Sequence, residues 1–379
     1  MRNRVLLLCL LLFGLGSHSY AQTSINPDIS AVGDFRVYGH SDQSRADEVE
    51  KLNLADPEIE INIGGYLNPY ARADIVIGWH GEHNAEIEEV HATILRGLPL
   101  NTNLRVGKYL LEYGRLNPVH PHAYSFIKRP LPHELFFGEE GLSDMAIRTS
   151  FALPIGSAFT ELMGGVLKGD ALANHEHEDA GHEGDEHEQE SEAKRNVGLF
   201  TRLTTSMAVS ESSELAIGGS ALNAVHGFTE DTINTPKQLR SWLIGGDIKY
   251  KYKPSKFKSL QIEAEMIMRQ SELGEDDEKL NSYGAYGYID YRFNQIYNVG
   301  GIIEWARVEE THHHEGEDEH EIEEHGTKRY GLFVGFAPLE ETSMVRLAGH
   351  WTDPEEGDGF WELSLQLVFG LGPHTPHNF

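Results

Sequence analysis

Phe360-Trp361-Glu362-Leu363-Ser364-Leu365-Gln366-Leu367-Val368-Phe369-Gly370-Leu371 is the stretch that decides the fold. Drawn as an extended chain, it puts Trp361, Leu363, Leu365, Leu367, Phe369 and Leu371 on one face and Glu362, Ser364 and Gln366 on the other. A period of two marks a strand with one apolar face. Tyr70 to His80 repeats the pattern, with Ala71, Ala73, Ile75, Ile77 and Trp79 alternating with Arg72, Asp74, Val76 and Gly78. So does Tyr297 to Trp305, with Tyr297, Val299, Ile303 and Trp305 opposite Asn298 and Glu304. Strands of soluble sandwiches average about five or six residues. These run to about ten or more, the length a tilted strand needs to cross a bilayer.

The same pattern can be followed along the chain as sixteen strands, with fourteen as the alternative. The segments are 28–40, 57–66, 70–80, 85–97, 103–114, 143–154, 157–170, 195–209, 212–227, 240–254, 259–272, 281–295, 296–310, 328–340, 342–354 and 357–371. Within Glu86 to Leu95 strict alternation breaks, which predicts a bulge. Long connections (41–56, 115–142, 171–194, 228–239 and 311–327) all follow odd strands, and connections after even strands are short. Short periplasmic turns with long outer loops are the asymmetry of outer-membrane barrels. The expected fold is therefore all-β, a transmembrane antiparallel barrel over 22–379.

Composition agrees once the barrel is considered. The net charge is −29 and the hydrophobic share 39%, and beyond the first residues no run approaches the ~18 apolar residues of a spanning helix. A helical membrane protein is excluded, whereas a barrel strand shows lipid only every second residue. Arg2 and Arg4 before the apolar run Val5 to Leu15, ending in Ser19-Tyr20-Ala21, read as a secretory signal over 1–21, which contains the sole cysteine, Cys9. Export, lipid-facing strands and a terminal Phe379 imply a Gram-negative outer membrane and the barrel-assembly machinery as partner. Strong acidity argues against nucleic acid and for cations.

Two segments are rich in metal-binding side chains. Ala171 to Lys194 holds His175, His177, His182 and His187 among acidic residues, and Thr311 to Thr327 holds His312, His313, His314, His320 and His325. Imidazole suits zinc, copper and nickel, and carboxylates complete or orient such sites. The other reading is a solvated charged loop with incidental histidines. Arg115 to Asp144 differs in kind: Pro118, Pro121, Pro130 and Pro132 stand with Tyr124, Phe126, Phe136 and Phe137, a composition for an ordered, packed loop. In sixteen-stranded porins the loop after the fifth strand folds inward and narrows the lumen. His120, His122, His133, Glu134, Glu139 and Glu140 would then stand at the constriction, as ligands or as pins to the wall. Glu60, Asp74, Asp290 and Glu304 are expected in the lumen, sharing that face with Arg72 and Arg292, which pair with them or leave them to select cations.

Ile25-Asn26-Pro27-Asp28-Ile29-Ser30, Gly107-Lys108-Tyr109, Tyr113-Gly114-Arg115-Leu116-Asn117, His120-Pro121-His122, Arg129-Pro130-Leu131, Phe137-Gly138-Glu139-Glu140-Gly141 and Phe369-Gly370-Leu371-Gly372-Pro373-His374 form a further set. Together they resemble a family of zinc-regulated outer-membrane receptors and porins of Gram-negative bacteria, in which variable His/Asp/Glu-rich loops are typical. The resemblance implies a porin-like barrel associated with zinc supply, and His120 and His122 as metal-contacting or loop-fixing groups. Three functions follow as alternatives: a channel that gathers divalent metal, a barrel-anchored surface metal sink, and a general diffusion porin. No catalytic arrangement stands out, so no enzyme activity is expected. No permanent cofactor is implied, only transient Zn2+ or another divalent transition metal. Porin-like barrels are often trimers, which makes a homotrimer the assembly to test.

Overall fold

Ten consecutive residue pairs join the first strand to the last, from Ala31 opposite Leu371 to His40 opposite Glu362, and they close the sheet on itself. The computed structural model describes residues 26–372 apart from 46–47, 82–83, 139, 173–196, 231–235, 274–277, 314–319 and 339–342. The expected signal at 1–21 and the tail from Pro373 lie outside the described residues.

Sixteen antiparallel strands make the barrel. The first eight are β1 (Asp28–His40), β2 (Glu58–Asn68), β3 (Ala71–His80), β4 (Glu86–Ile94), β5 (Asn103–Leu110), β6 (Ser143–Ile155), β7 (Ala158–Leu167) and β8 (Gly198–Ser210). The second eight are β9 (Ser213–Glu230), β10 (Pro236–Ser255), β11 (Lys258–Glu272), β12 (Lys279–Asn294), β13 (Tyr297–His313), β14 (His320–Phe336), β15 (Ser343–Pro354) and β16 (Phe360–Leu371). Each pairs with its sequence neighbours, and a two-residue strand, Asn53–Leu54, adds to the upper end of β1. Sixteen, not fourteen, is the count. Closure leaves no unpaired sheet edge, the condition for a sheet in hydrocarbon, where water cannot satisfy N–H and C=O groups.

Burial is inverted relative to a water-soluble core. Leu332 is 74% exposed on the outer face while Arg346, pointing inward, is 1% exposed. Ile59, Trp242, Ile303, Trp351 and Leu363 share the outer face, and Glu265, Glu304, Glu362 and Gln366 the inner one. An apolar belt this continuous would drive association in water, so its natural solvent is lipid. Trp351 opposite Trp361 marks one rim. Tyr297 stacked on Phe336, ring centroids 5.1 Å apart, marks the other.

Several boundaries differ from the sequence expectation, and the connection expected at 228–239 is mostly strand, because β9 runs on to Glu230 and β10 starts at Pro236. β5 ends at Leu110, short of 114, because Tyr113 N–H turns back to Leu111 O and Gly114 takes φ +61°. β4 ends at Ile94, and Leu95 to Thr102 turns through a 3-10 step at Pro99–Asn101. The segment 311–327, expected as a loop, is largely the continuation of β13 and β14, with Val308 opposite His325 and Thr311 opposite Ile322. The sequence of that segment is almost wholly polar, so the two-residue period that marks a strand in lipid is missing there even though the backbone ladder continues. Residues 314–319 lie outside the described residues.

Candidate constriction and lumenal site

The chain from Leu111 to Leu142 crosses the lumen. Its entry and exit are held by one side chain: Asn117 donates from Nδ2 to Leu111 O (2.7 Å) and Leu142 O (2.9 Å) and accepts from Leu142 N–H at Oδ1 (2.8 Å). Asn117 is completely buried. Gly114 follows the turn with φ +61°, and a Cβ there would lie 2.0 Å from Glu265 Oε1, so glycine is required both for the angle and for the approach to the wall. Leu116, Tyr124, Phe126 and Ile127 then pack on Tyr286, Tyr288, Ile302, Phe333 and Ala348 of the barrel wall. The prolines and aromatics of the segment thus build an ordered loop with its own core. Asn117→Ala should cost about 3 kcal/mol of loop anchoring, from three hydrogen bonds at ~1 kcal/mol each. Tryptic cleavage after Arg115 or Lys128 in the folded protein should become detectable.

The loop's short helix α1 (Leu131–Phe137) docks on β12 and β13. Its first N–H, of Leu131, donates to Glu304 Oε2 at 2.5 Å, a carboxylate at a helix N-terminus. Arg329 of β14 grips Glu304 (Nη2 to Oε2 2.7 Å), Glu134 (Nη1 to Oε2 2.7 Å) and the carbonyl of Arg129 (2.6 Å). His133 Nε2 lies 3.2 Å from Glu265 Oε1, both side chains buried, and Glu265 also accepts from Arg115 N–H and Tyr286 O–H. Arg346 donates to His122 O at 2.9 Å, and Lys128 to Glu362 at 2.9 Å.

Each expected lumen charge can now be placed. Arg72 pairs with Asp74 (2.8 Å), and Arg292 with Asp290 (3.5 Å), which also accepts from Ser125 and Asn298. Glu304 belongs to the Arg329 cluster, Glu140 is exposed, and Glu139 lies outside the described residues. His175, His177, His182, His187 and His314 also lie outside them. His312, His313 and His320 fall at the strand ends of the β13–β14 hairpin, and the described His325 sits 3.7 Å from Glu323 and 3.8 Å from Glu356.

Glu60, His120 and His122 come together on the opposite wall. His120 Nδ1 is 3.1 Å from Glu60 Oε2 and 3.4 Å from Glu88 Oε2, and its Nε2 is 2.8 Å from Glu89 Oε1. His122 stacks on it, centroids 5.8 Å apart, with Nδ1 3.5 Å from Glu60. Burial alone would lower the His120 pKa, but Glu60 and Glu89 override it and hold the imidazole well above its usual range. Sequence reading did not single out Glu88 and Glu89. Their trace was the break in alternation after Glu86: in the ladder Val76 pairs with Glu89 and Ile77 with Ile87, so Glu88 is an extra residue, a β-bulge.

The opening left between loop and wall is a cavity of about 890 Å³. Among the described residues it is lined by seven carboxylates (Asp34, Glu58, Glu60, Glu86, Glu88, Glu134 and Glu140) against four fixed cations (Arg36, Lys108, Lys128 and Arg129), a surplus of three negative charges over Arg and Lys, and of two once the charged imidazole of His120 is counted.

No family model matches the chain. It is 23% identical over 406 residues to an "uncharacterized protein" of Aquifex aeolicus (strain VF5), covering 95% of this chain and 81% of that one. Among solved structures it resembles the anion-selective porin of Comamonas acidovorans with TM-score 0.57 and 6% identity, covering 90% of this chain and 98% of that one. It also resembles the trimer form of OmpT, an outer membrane protein of Vibrio cholerae, with TM-score 0.55, 8% identity and coverage of 91% and 98%. The outer membrane channel DcaP of Acinetobacter baumannii matches with TM-score 0.53, 11% identity and coverage of 91% and 96%. The fold is that of outer-membrane porins and channels.

Proposed function

We propose that the chain is a porin-like channel of the Gram-negative outer membrane that favours cations and admits divalent metal, zinc being the metal its histidines suit. The observation that carries this reading is the surplus of three carboxylates around the opening beside the lumenal loop. Fixed charge at a narrow, low-dielectric passage raises the local concentration of ions of opposite sign and sets selectivity. The His- and acid-rich segments at the long-loop rim would deliver metal to that opening.

Planar-bilayer recordings of the refolded protein test the proposal. A steady, cation-preferring conductance modified by micromolar zinc on the long-loop side is the expected result. Anion preference would refute the electrostatic argument. A folded barrel without conductance would instead point to a surface metal sink, and conductance indifferent to zinc to a general porin.

A further inference from the structure

Strict alternation sends neighbouring strand residues to opposite faces, so adjacent glutamates cannot both reach a lumen unless the strand bulges. The extra residue Glu88 does this, and Glu88 and Glu89 both contact His120. Space for the Glu88 carboxylate is left by Gly78 on the neighbouring strand, where a Cβ would lie 1.8 Å from Glu88 Oε1. The carboxylate is further held by His80 Nε2 at 3.0 Å.

The roles of the two ring nitrogens of His120 differ. Glu89 Oε1, 2.8 Å from Nε2, accepts an N–H there, and Nδ1 faces Glu60 and Glu88, where a bound metal would take the place of the Nδ1 proton. A carboxylate on the far nitrogen is the usual support for a metal-ligating imidazole. Tetrahedral zinc has arms of ~2.0–2.1 Å to nitrogen and oxygen, so neighbouring donors stand ~3.3 Å apart. Nδ1 stands 3.1 Å from the Glu60 oxygen and 3.4 Å from the Glu88 oxygen, and the donor atoms of all three residues lie within 4.8 Å of one another.

We infer that Glu60, Glu88 and His120 form a lumenal coordination site for a divalent transition metal, with Glu89 as the residue positioning the imidazole. Three protein ligands leave a fourth position open, and the residues border the lumenal cavity. That is the pattern of a site that exchanges its metal, in contrast to the closed four-ligand structural site. Loop anchoring does not require this cluster, because Asn117, His133, Arg329 and Arg346 tie the loop down elsewhere. The inference deepens the channel proposal by giving the metal a stopping point, and it rests on that reading only for the claim that the metal is in transit.

The test uses the full chain with the nine histidines of the two His-rich segments replaced by asparagine, refolded in detergent. Cobalt(II), a spectroscopic stand-in for zinc, is titrated in. One equivalent is expected to bind with the intense visible bands of low-coordinate cobalt, to be displaced by zinc, and to be unaffected by excess magnesium. His120→Gln and Glu88→Gln should each weaken binding more than about tenfold, with Glu89→Gln having a smaller effect through the imidazole. Heat-modifiable gel mobility shows that each variant is folded. A folded barrel that binds no cobalt, or binds it equally well as His120→Gln, overturns the site. Because binding is read without a membrane, stoichiometric metal in a non-conducting barrel would sink the channel reading alone, and conductance without binding would sink the site alone.

Discussion

Arg329→Ala is expected to detach the lumenal loop from the far wall and raise single-channel conductance several-fold. Arg329 is the point where strand, helix and loop backbone meet, through Glu304, Glu134 and the Arg129 carbonyl. It is 4% exposed, so its loss leaves two carboxylates facing each other with little water. Removing one partner of a buried ion cluster typically costs about 3–5 kcal/mol, because the remaining charge is uncompensated. Most of that cost should fall on loop docking, since the barrel ladder between β13 and β14 keeps its backbone hydrogen bonds. Arg329→Met combined with Glu304→Gln and Glu134→Gln leaves no stranded charge and should restore most of the thermal stability. If the single variant conducts like the parent, the loop is held by its aromatic contacts and the ion cluster is incidental.

Glu60→Lys with Glu88→Lys should reverse the sign of ion selectivity. Around the opening, seven carboxylates against four cations become five against six, so a surplus of three negative charges becomes one positive. The reading is the reversal potential under a potassium chloride gradient, which should cross zero between parent and variant. Screening matters: at ~0.1 M salt the Debye length is about 10 Å, so the shift should shrink as salt is raised. An unchanged reversal potential would place the selectivity elsewhere along the lumen.

The strands were readable wherever one face meets lipid. Asp28–His40 matches the expected 28–40, and Ser343–Pro354 the expected 342–354 within a residue. Periodicity failed where that contrast vanishes, in the polar β13–β14 hairpin beyond the apolar belt. The constriction loop was legible from its prolines and aromatics. Its fastenings were only partly so, because Arg329 and Glu265 lie more than a hundred residues from the loop groups they hold. His120 was named from its motif, and Glu60 from strand parity, but nothing local indicated that they meet. Glu88 and Glu89 were obscured for a different reason: the irregularity that brings both to the lumen removes the pattern by which lumenal residues are recognised.

The irregularity at Glu88 also bears on how such a site can arise. A bulge is a difference of one residue in chain length. Deleting Glu88 would let Ile87 and Glu89 follow each other in a regular ladder, with their partners Ile77 and Val76 unchanged. One codon is therefore enough to add the second glutamate to this wall or to remove it, and the ladder partners on either side need not move. Among barrels sharing this architecture, acidity at the narrow point can be inherited or lost as an insertion, independently of the substitutions that tune the rest of the wall.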